Sequence, residues 1–272
     1  MPVAERKIWA QELQATHKIG VTMSCKVVCI SRTAFYYQPT LTDDSAIIDA
    51  LNDLVEKHQR WGFPKCFKRL RKLGYHWNHK RVYRVYTELK LNNLRRKSKR
   101  RLPPRNPEPL TVPNHQGHTW SMDLMSDQLH NKVRYRTFNI IDDFNRQLLG
   151  IDIATSIASL RVIRYLDRLA EWHGYPEKIR VDNGSEFTSR VFTDWALAHS
   201  IRMDYIKPGC PYQNGYIERF NRTYRHEVLD LYWFKNLQEV KQITDEWIEI
   251  YNTQRPHDSL NDMTPIEYRN AA

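Results

Sequence analysis

Three carboxylates stand where they could do chemistry: Asp123, Asp182 and Glu218. Asp123 lies in an alternating run that puts Trp120, Met122 and Leu124 on one side of a strand and Ser121 and Asp123 on the other. Asp182 follows the short run Lys178-Ile179-Arg180-Val181 and opens the turn Asp182-Asn183-Gly184, the end of a strand where ligands commonly bind a sheet. Glu218 falls in the first turns of a helix, behind Gln213-Asn214-Gly215. Carboxylate oxygens are the donors that hard divalent cations take. Acidic residues are plentiful in this half, so two Asp and a Glu mean little alone. Their weight comes from the combination of strand, strand end and helix with the flanking Asn-Gly turns. Asp142 and Asp143 are rival ligands, read as the end of a strand and a turn.

The elements that must carry these side chains follow from the periodicity. Strands are expected over 118–125, 134–142 and 147–154, consistent with a meander, then over 178–181 and 201–206. Helices are expected over 160–173, 189–198, about 213–229 and 236–253, with Gly174-Tyr175-Pro176 stopping the first. The order β-β-β-α-β-α-β-α implies an α/β fold, a mixed sheet with helices on both faces. Trp120, Trp195, Trp233 and Trp247 are read as core, and Asn183, Gly184 and Gln213-Asn214-Gly215 as shaping the backbone around the carboxylates.

Upstream the chain changes character. Residues 1–115 carry 23 Lys and Arg against 9 Asp and Glu, while residues 116–272 carry 19 against 22, within a total net charge of +11. A basic arm joined to a carboxylate-bearing body points to a polyanionic partner, most simply nucleic acid. No apolar run approaches the roughly 18 residues of a membrane span. Glu5, Arg6 and Lys7 interrupt any signal-like segment, and four cysteines do not make a disulfide scaffold, so a cytoplasmic location is expected.

Four segments are expected: a short helical one over 1–44, a helix-turn-helix-like one over 45–95, a basic and Pro-rich linker over 96–115, and a body over 116–272. In the first, a short helix is read over 24–31. Its Cys25 and Cys29, with His58, His76 and His79 beyond, invite zinc, which wants tightly spaced ligand pairs, but the His76/His79 pair lies in a basic segment that reads well without metal and buried cysteine is the default. In the second, Ile47, Ile48, Leu51, Leu54 and Val55 mark a helix behind Asp43 and Asp44 as cap candidates, and Trp61-Gly62-Phe63-Pro64 breaks it. A helix from Lys65 puts Cys66, Phe67, Leu70 and Leu73 inside and Lys65, Lys68, Arg69, Arg71 and Lys72 outside. Asn78 can cap another that exposes Lys80, Arg81 and Arg84. Two short helices around a glycine turn, the second one basic, fit a helix-turn-helix. Arg95, Arg96, Lys97, Lys99, Arg100 and Arg101 follow and could track phosphates.

At this point the residues resemble a family. Trp120-Ser121-Met122-Asp123, Asp182-Asn183-Gly184-Ser185-Glu186-Phe187, Pro208-Gly209-Cys210-Pro211-Tyr212-Gln213-Asn214-Gly215, Glu218-Arg219-Phe220-Asn221 and Tyr251-Asn252-Thr253-Gln254-Arg255-Pro256-His257 are similar to the integrase core of DDE transposases. The likeness is to the second-reading-frame (OrfB) transposases of bacterial insertion sequences, relatives of retroviral integrases, and it covers nearly the whole chain. Cys210 departs from it, where a lysine is common.

The resemblance implies an RNase H-like fold preceded by an all-α helix-turn-helix region, with Asp123, Asp182 and Glu218 as ligands of two Mg²⁺ ions, for which Mn²⁺ can substitute. Two such ions about 4 Å apart serve an in-line phosphoryl displacement. Water first frees a 3′-OH at the element's end; that 3′-OH then attacks a second phosphodiester. Double-stranded DNA, as terminal repeats and target, is the implied partner, bound by a multimer, with an upstream reading-frame product as fusion or partner. Arg222 and Arg225 follow Glu218 on one helix face and are read as phosphate contacts. Two other readings stand beside it: a DNA-binding regulator without catalysis, and an RNase H-type nuclease that hydrolyses without joining.

Overall fold

The alternation through Trp120 and Asp123 belongs to the central strand of a five-stranded mixed sheet. The computed structural model describes residues 2–38, 43–91, 113–207 and 209–272, which form two compact units, Met1–Ala46 and Ile47–Ala272. The basic run 95–101 therefore lies outside the described residues.

In the first unit, α1 (Val3–His17), α2 (Val21–Val27) and α3 (Arg32–Tyr36) close on Ala10, Cys25, Val28 and Phe35. The helix expected over 24–31 instead starts at Val21 and ends at Val27, and α3 follows from Arg32. Cys29 at φ 55 breaks the chain between them, and Ser31 caps α3 through Ala34 N at 3.1 Å. Cys25 is buried as expected; Cys29 is exposed, because the left-handed turn it occupies leaves the packed face.

The second unit opens within α4 (Ser45–Lys57) and continues with α5 (Phe63–Lys72) and α6 (His79–Glu88), packed on Ile47, Leu51, Leu54, Trp61, Cys66, Leu70, Val82, Val85 and Tyr86. Asp43 accepts from Ser45 N at 2.9 Å and Asn78 from Lys80 N at 2.8 Å, so both caps act as read. Helix α5 starts two residues earlier than expected. Pro64 sits in its first turn, where a missing N–H leaves no intrahelical bond unmade. Leu73, expected inside, is exposed, because it lies at the C-cap where Gly74 turns the chain away.

The sheet holds β1 (Thr119–Gln128), β2 (Arg134–Asp142), β3 (Leu148–Ala154), β4 (Lys178–Val181) and β5 (Arg202–Tyr205) in the order β3-β2-β1-β4-β5. β1–β2 and β2–β3 run antiparallel, β1–β4 and β4–β5 parallel. This is the RNase H-like arrangement. On one face, α7 (Ser159–His173), α8 (Ser185–Thr188) and α9 (Arg190–Ala198) cover Trp120, Met122, Phe138, Ile140 and Ile179. On the other, α10 (Gly215–Tyr224), the π-helical turn Arg225–Leu229 and α11 (Leu237–Thr253) cover Tyr135, Ile141, Leu148 and Ile151. A short α12 (Pro265–Ala271) ends the chain as given.

Of the four tryptophans read as core, Trp120 and Trp247 are buried and Trp195 is partly so. Trp233 is 81% exposed, its ring beside His130 in the loop before α11. Gly150 is required by packing: a Cβ there would overlap the Tyr165 hydroxyl of α7. Among the described residues no helix is long and apolar enough to cross a membrane.

The outward basic face of α5 is not free. Lys65 pairs with Glu227 at 3.3 Å, Lys68 with Asp258 at 2.7 Å and with Asp262, and Lys72 with Glu267. Arg69 donates to Gln254 at 3.3 Å. The spacing 65, 68, 69 and 72 is one helical stripe, and it meets acceptors on the segments around α11 and α12. Four of the five cations read as outward-facing thus seal a contact within the unit.

Candidate active site

Each of the three carboxylates is delivered by the element that its sequence context indicated. Asp123 extends from β1 towards α10 and is held from two directions. Leu124 N donates to its Oδ1 at 2.8 Å and Asn221 Nδ2 to its Oδ2 at 2.6 Å. Burial pushes its carboxyl up to about 6, against the pull of the Leu124 N–H; the charges of Asp182 and Glu218 push it up as well, and the Asn221 bond opposes them.

Asp182, half-buried just past β4, accepts from Gly184 N at 3.0 Å. A Cβ on Gly184 would stand 3.0 Å from Asp182 Oδ1 and 3.3 Å from Glu186 Oε2, so glycine keeps that carboxylate unobstructed. Asn183 Nδ2 ties the turn to Ile206 O at 2.8 Å. Gln213 Oε1 accepts from Lys207 N at 2.8 Å, and Asn214 Nδ2 donates to Met122 O at 3.4 Å, which seats the start of α10 over β1. These residues shape the backbone, as read.

Glu218 faces outward on α10. Partial burial raises its carboxyl, with Arg222 acting against that rise. The donor type suits a hard divalent cation: Asp123 is partly buried and feels the charges of Asp182 and Glu218, and carboxylate oxygens are what such a cation takes. As the side chains stand, no group of three His, Cys, Asp or Glu among the described residues is arranged to hold a metal ion.

A fourth carboxylate, Glu186, stands beside Asp182 and pairs with Arg136 of β2. Burial acts to raise its carboxyl, but the guanidinium holds it below the ordinary range, so its charge is already answered. Of the rivals, Asp142 accepts from Gly117 N and Phe144 N at 2.7 and 2.8 Å. Asp143 is buried against Arg180 at 2.9 Å. They are a strand end and a turn with structural partners.

The two arginines part company. Arg222 is exposed beside Glu218. Arg225 opens the π turn, which rotates it towards the end of β1; there it donates to Asp127 and to Ser126 O, both at 3.0 Å. On α6, Lys80 is exposed and Arg84 pairs with Glu88 at 3.0 Å, while Arg81 is half-buried. Cys210 is half-buried in the loop before α10.

Models of the integrase core domain match residues 113–211 and 199–265, and a model of an HTH-like domain matches residues 42–100. The insertion element IS407 protein of Burkholderia multivorans is 36% identical over 251 residues, 92% of this chain and 90% of its own length. The chain belongs to the insertion-element transposase family. The putative transposase InsK of insertion sequence element IS150 from Escherichia coli K12 is 26% identical over 258 residues, 89% of this chain and 90% of InsK. A chain of the simian T-cell lymphotropic virus intasome, in its complex with the PP2A regulatory subunit B56 gamma, shares the fold at TM-score 0.50 and 15% identity, over 82% of this chain and 75% of that one.

Within this transposase-family chain, three features escape a reading of the sequence. Asn221 falls in a family motif with no role attached to it, although it sits one helical turn after Glu218. Arg136 gives no signal, because its partner is 50 residues away. The Tyr251–His257 motif proves to be a structural tie. Asn252 pairs with Leu148 N and O at 3.0 and 2.9 Å, and Arg255 meets Glu227 at 3.1 Å.

Proposed function

We propose that this protein cuts DNA at the ends of its insertion element and joins the freed 3′-OH to target DNA, with Asp123, Asp182 and Glu218 holding two Mg²⁺ ions. The observation that carries this reading is the hold on Asp123, on the strand that pairs with β4 ahead of Asp182: its Oδ1 accepts from Leu124 N and its Oδ2 accepts from Asn221 Nδ2 of the helix that bears Glu218. Like-charged carboxylates on β1, just past the paired β4 and on the α10 that starts over β1 are charges that divalent cations would offset. Divalent ions bound there would supply Lewis-acid activation of the phosphodiester and stabilise the leaving oxygen.

The chain's own groups do the positioning. Leu124 N and Asn221 fix the Asp123 oxygens, and Gly184 N fixes Asp182. No nucleophilic side chain is needed, since water attacks first and the 3′-OH second. In this reading residues 45–95 form the DNA-binding part, 96–115 the linker and 116–272 the core. Lys80, Arg81 and Arg84 on α6, the run Arg95, Arg96, Lys97, Lys99, Arg100 and Arg101, and Arg222 and Arg225 contact double-stranded DNA. A multimer on DNA, with or without an upstream reading-frame product, is the working assembly.

The test is cleavage and joining of labelled element ends in Mg²⁺ or Mn²⁺, by the full chain with and without the upstream protein. Asp182→Asn, Asp123→Asn and Glu218→Gln are each expected to lower both activities by more than roughly 100-fold, beyond what loss of an outer partner of a metal ligand does, with DNA affinity retained. Near wild-type cleavage by Asp182→Asn sinks the ligand assignment. Cleavage without joining favours a nuclease.

A further inference from the structure

Asp123 and Asn139 are direct cross-strand partners on β1 and β2, and Asn221 on α10 lies over both. Asn139 Nδ2 donates to Asn221 Oδ1 at 2.7 Å, and Asn221 Nδ2 donates to Asp123 Oδ2 at 2.6 Å. The direction of this chain is dictated by chemistry. An ionised carboxylate can only accept, so Asn221 must turn its NH₂ towards Asp123. Its carbonyl then faces Asn139, which must donate.

Asn139 is fully buried, on the strand face that also carries Tyr135, Thr137 and Ile141. Its own Oδ1 accepts nothing from the described residues. A buried amide with one end unmatched costs stability that an apolar side chain there would not. Its place is accounted for by what it does to Asn221.

We infer that Asn139 is a positioning residue, which from inside the sheet fixes which way round the Asn221 amide points and thereby aims the Asp123 carboxylate. This rests on the proposed role of Asp123 as a metal ligand. With Asn139 present, Asn221 has one satisfied orientation. Without it, the Asn221 carbonyl loses its donor, the amide is free to rotate, and the oxygen can swing towards Asp123 and repel it.

The test uses the full chain and Mn²⁺ binding, followed by loss of the free-ion resonance signal, so that the readout does not depend on turnover. Asn139→Leu is expected to weaken Mn²⁺ binding by about 10-fold, in the range seen when outer partners of metal ligands are removed. Unfolding curves check the fold, and Asn139→Val serves if leucine overpacks. Because Asn139 acts only through Asn221, the double variant Asn139→Leu/Asn221→Leu should bind no more weakly than Asn221→Leu alone. A purely structural Asn139 would give effects that add. Wild-type Mn²⁺ affinity in a folded Asn139→Leu, or full additivity in the double variant, overturns the relay. If the wild-type chain shows no Mn²⁺ binding that Asp182→Asn removes, the ligand assignment itself fails and the relay falls with it.

Discussion

Lys65 of α5 reaches Glu227 of the π turn at 3.3 Å across 162 residues of sequence. Arg255 meets the same carboxylate at 3.1 Å, and Trp247 Nε1 donates to it at 3.3 Å. Burial acts to raise the Glu227 carboxyl, but Arg255 and Lys65 together hold it below its ordinary value. The π turn, α11 and the helix-turn-helix-like region are therefore bound through one buried anion.

Glu227→Gln should leave two cations in that space without a counter-charge. Removing one partner of a buried pair costs about 3–5 kcal/mol, which for a unit of this size is a fall in Tm of roughly 10 °C. Thermal unfolding of the variant checks it. A change within 2 °C or so would mean that solvent already screens the cluster.

His58 provides a pH test. It is buried and stacked on Trp61 at 3.9 Å, and burial lowers its pKa to about 4, partly opposed by Glu227. The unfolded chain takes up this proton near 6.5 and the folded chain only near 4. Stability from His58 is thus complete above about pH 6.5 and is lost as pH falls towards 4, by up to about 3 kcal/mol. His58→Phe should remove that part of the acid sensitivity. Denaturant unfolding at pH 7.5 and 4.5 measures it, and equal slopes in the two proteins would place the titration elsewhere.

The ion pairs of α5 redistribute the expected DNA footprint. Lys80→Ala on α6 should reduce the slope of log affinity against log salt by about 0.9, for the one phosphate that is no longer neutralised. Lys68→Gln/Lys72→Gln should leave the slope unchanged, since those side chains meet Asp258, Asp262 and Glu267. A larger reduction from the α5 pair than from Lys80→Ala would return α5 to the DNA.

Gly150→Ala should destabilise by about 1–3 kcal/mol, the usual cost of overpacking. The added methyl meets the Tyr165 hydroxyl. Combining it with Tyr165→Phe should recover part of the stability; no recovery would mean that the backbone, not the hydroxyl, resists.

The mixed sheet and the elements that carry Asp123, Asp182 and Glu218 were legible because they rest on local signals. The period-two run through Asp123, the strand-ending Asp182-Asn183-Gly184 turn and the helix-opening Glu218 each declare their element within a few residues. What the sequence hid depends on distant partners. Lysines on the polar stripe of α5 look the same whether solvent or Asp258 lies opposite. Helix α1 leaves little trace because its apolar residues are scattered: Ala10 is its buried position, while Ile8 and Trp9 are exposed. The π turn at Arg225 could not be read from a periodicity of 3.6, which keeps Arg225 on the face of Glu218.

The α5 stripe also bears on how such proteins can exchange parts. A helix-turn-helix-like segment taken from a relative and fused to this core would bring its own cations to Glu227, Asp258, Asp262 and Glu267, in whatever register its α5 provides. Unless positions 65, 68, 69 and 72 match, the graft would confront the buried Glu227 and the more exposed Asp258, Asp262 and Glu267 with the wrong groups. Attachment to the core is written on α5, and the proposed DNA contacts lie on the neighbouring α6. A hybrid that replaces α6 while keeping α5 is the one with a chance of folding.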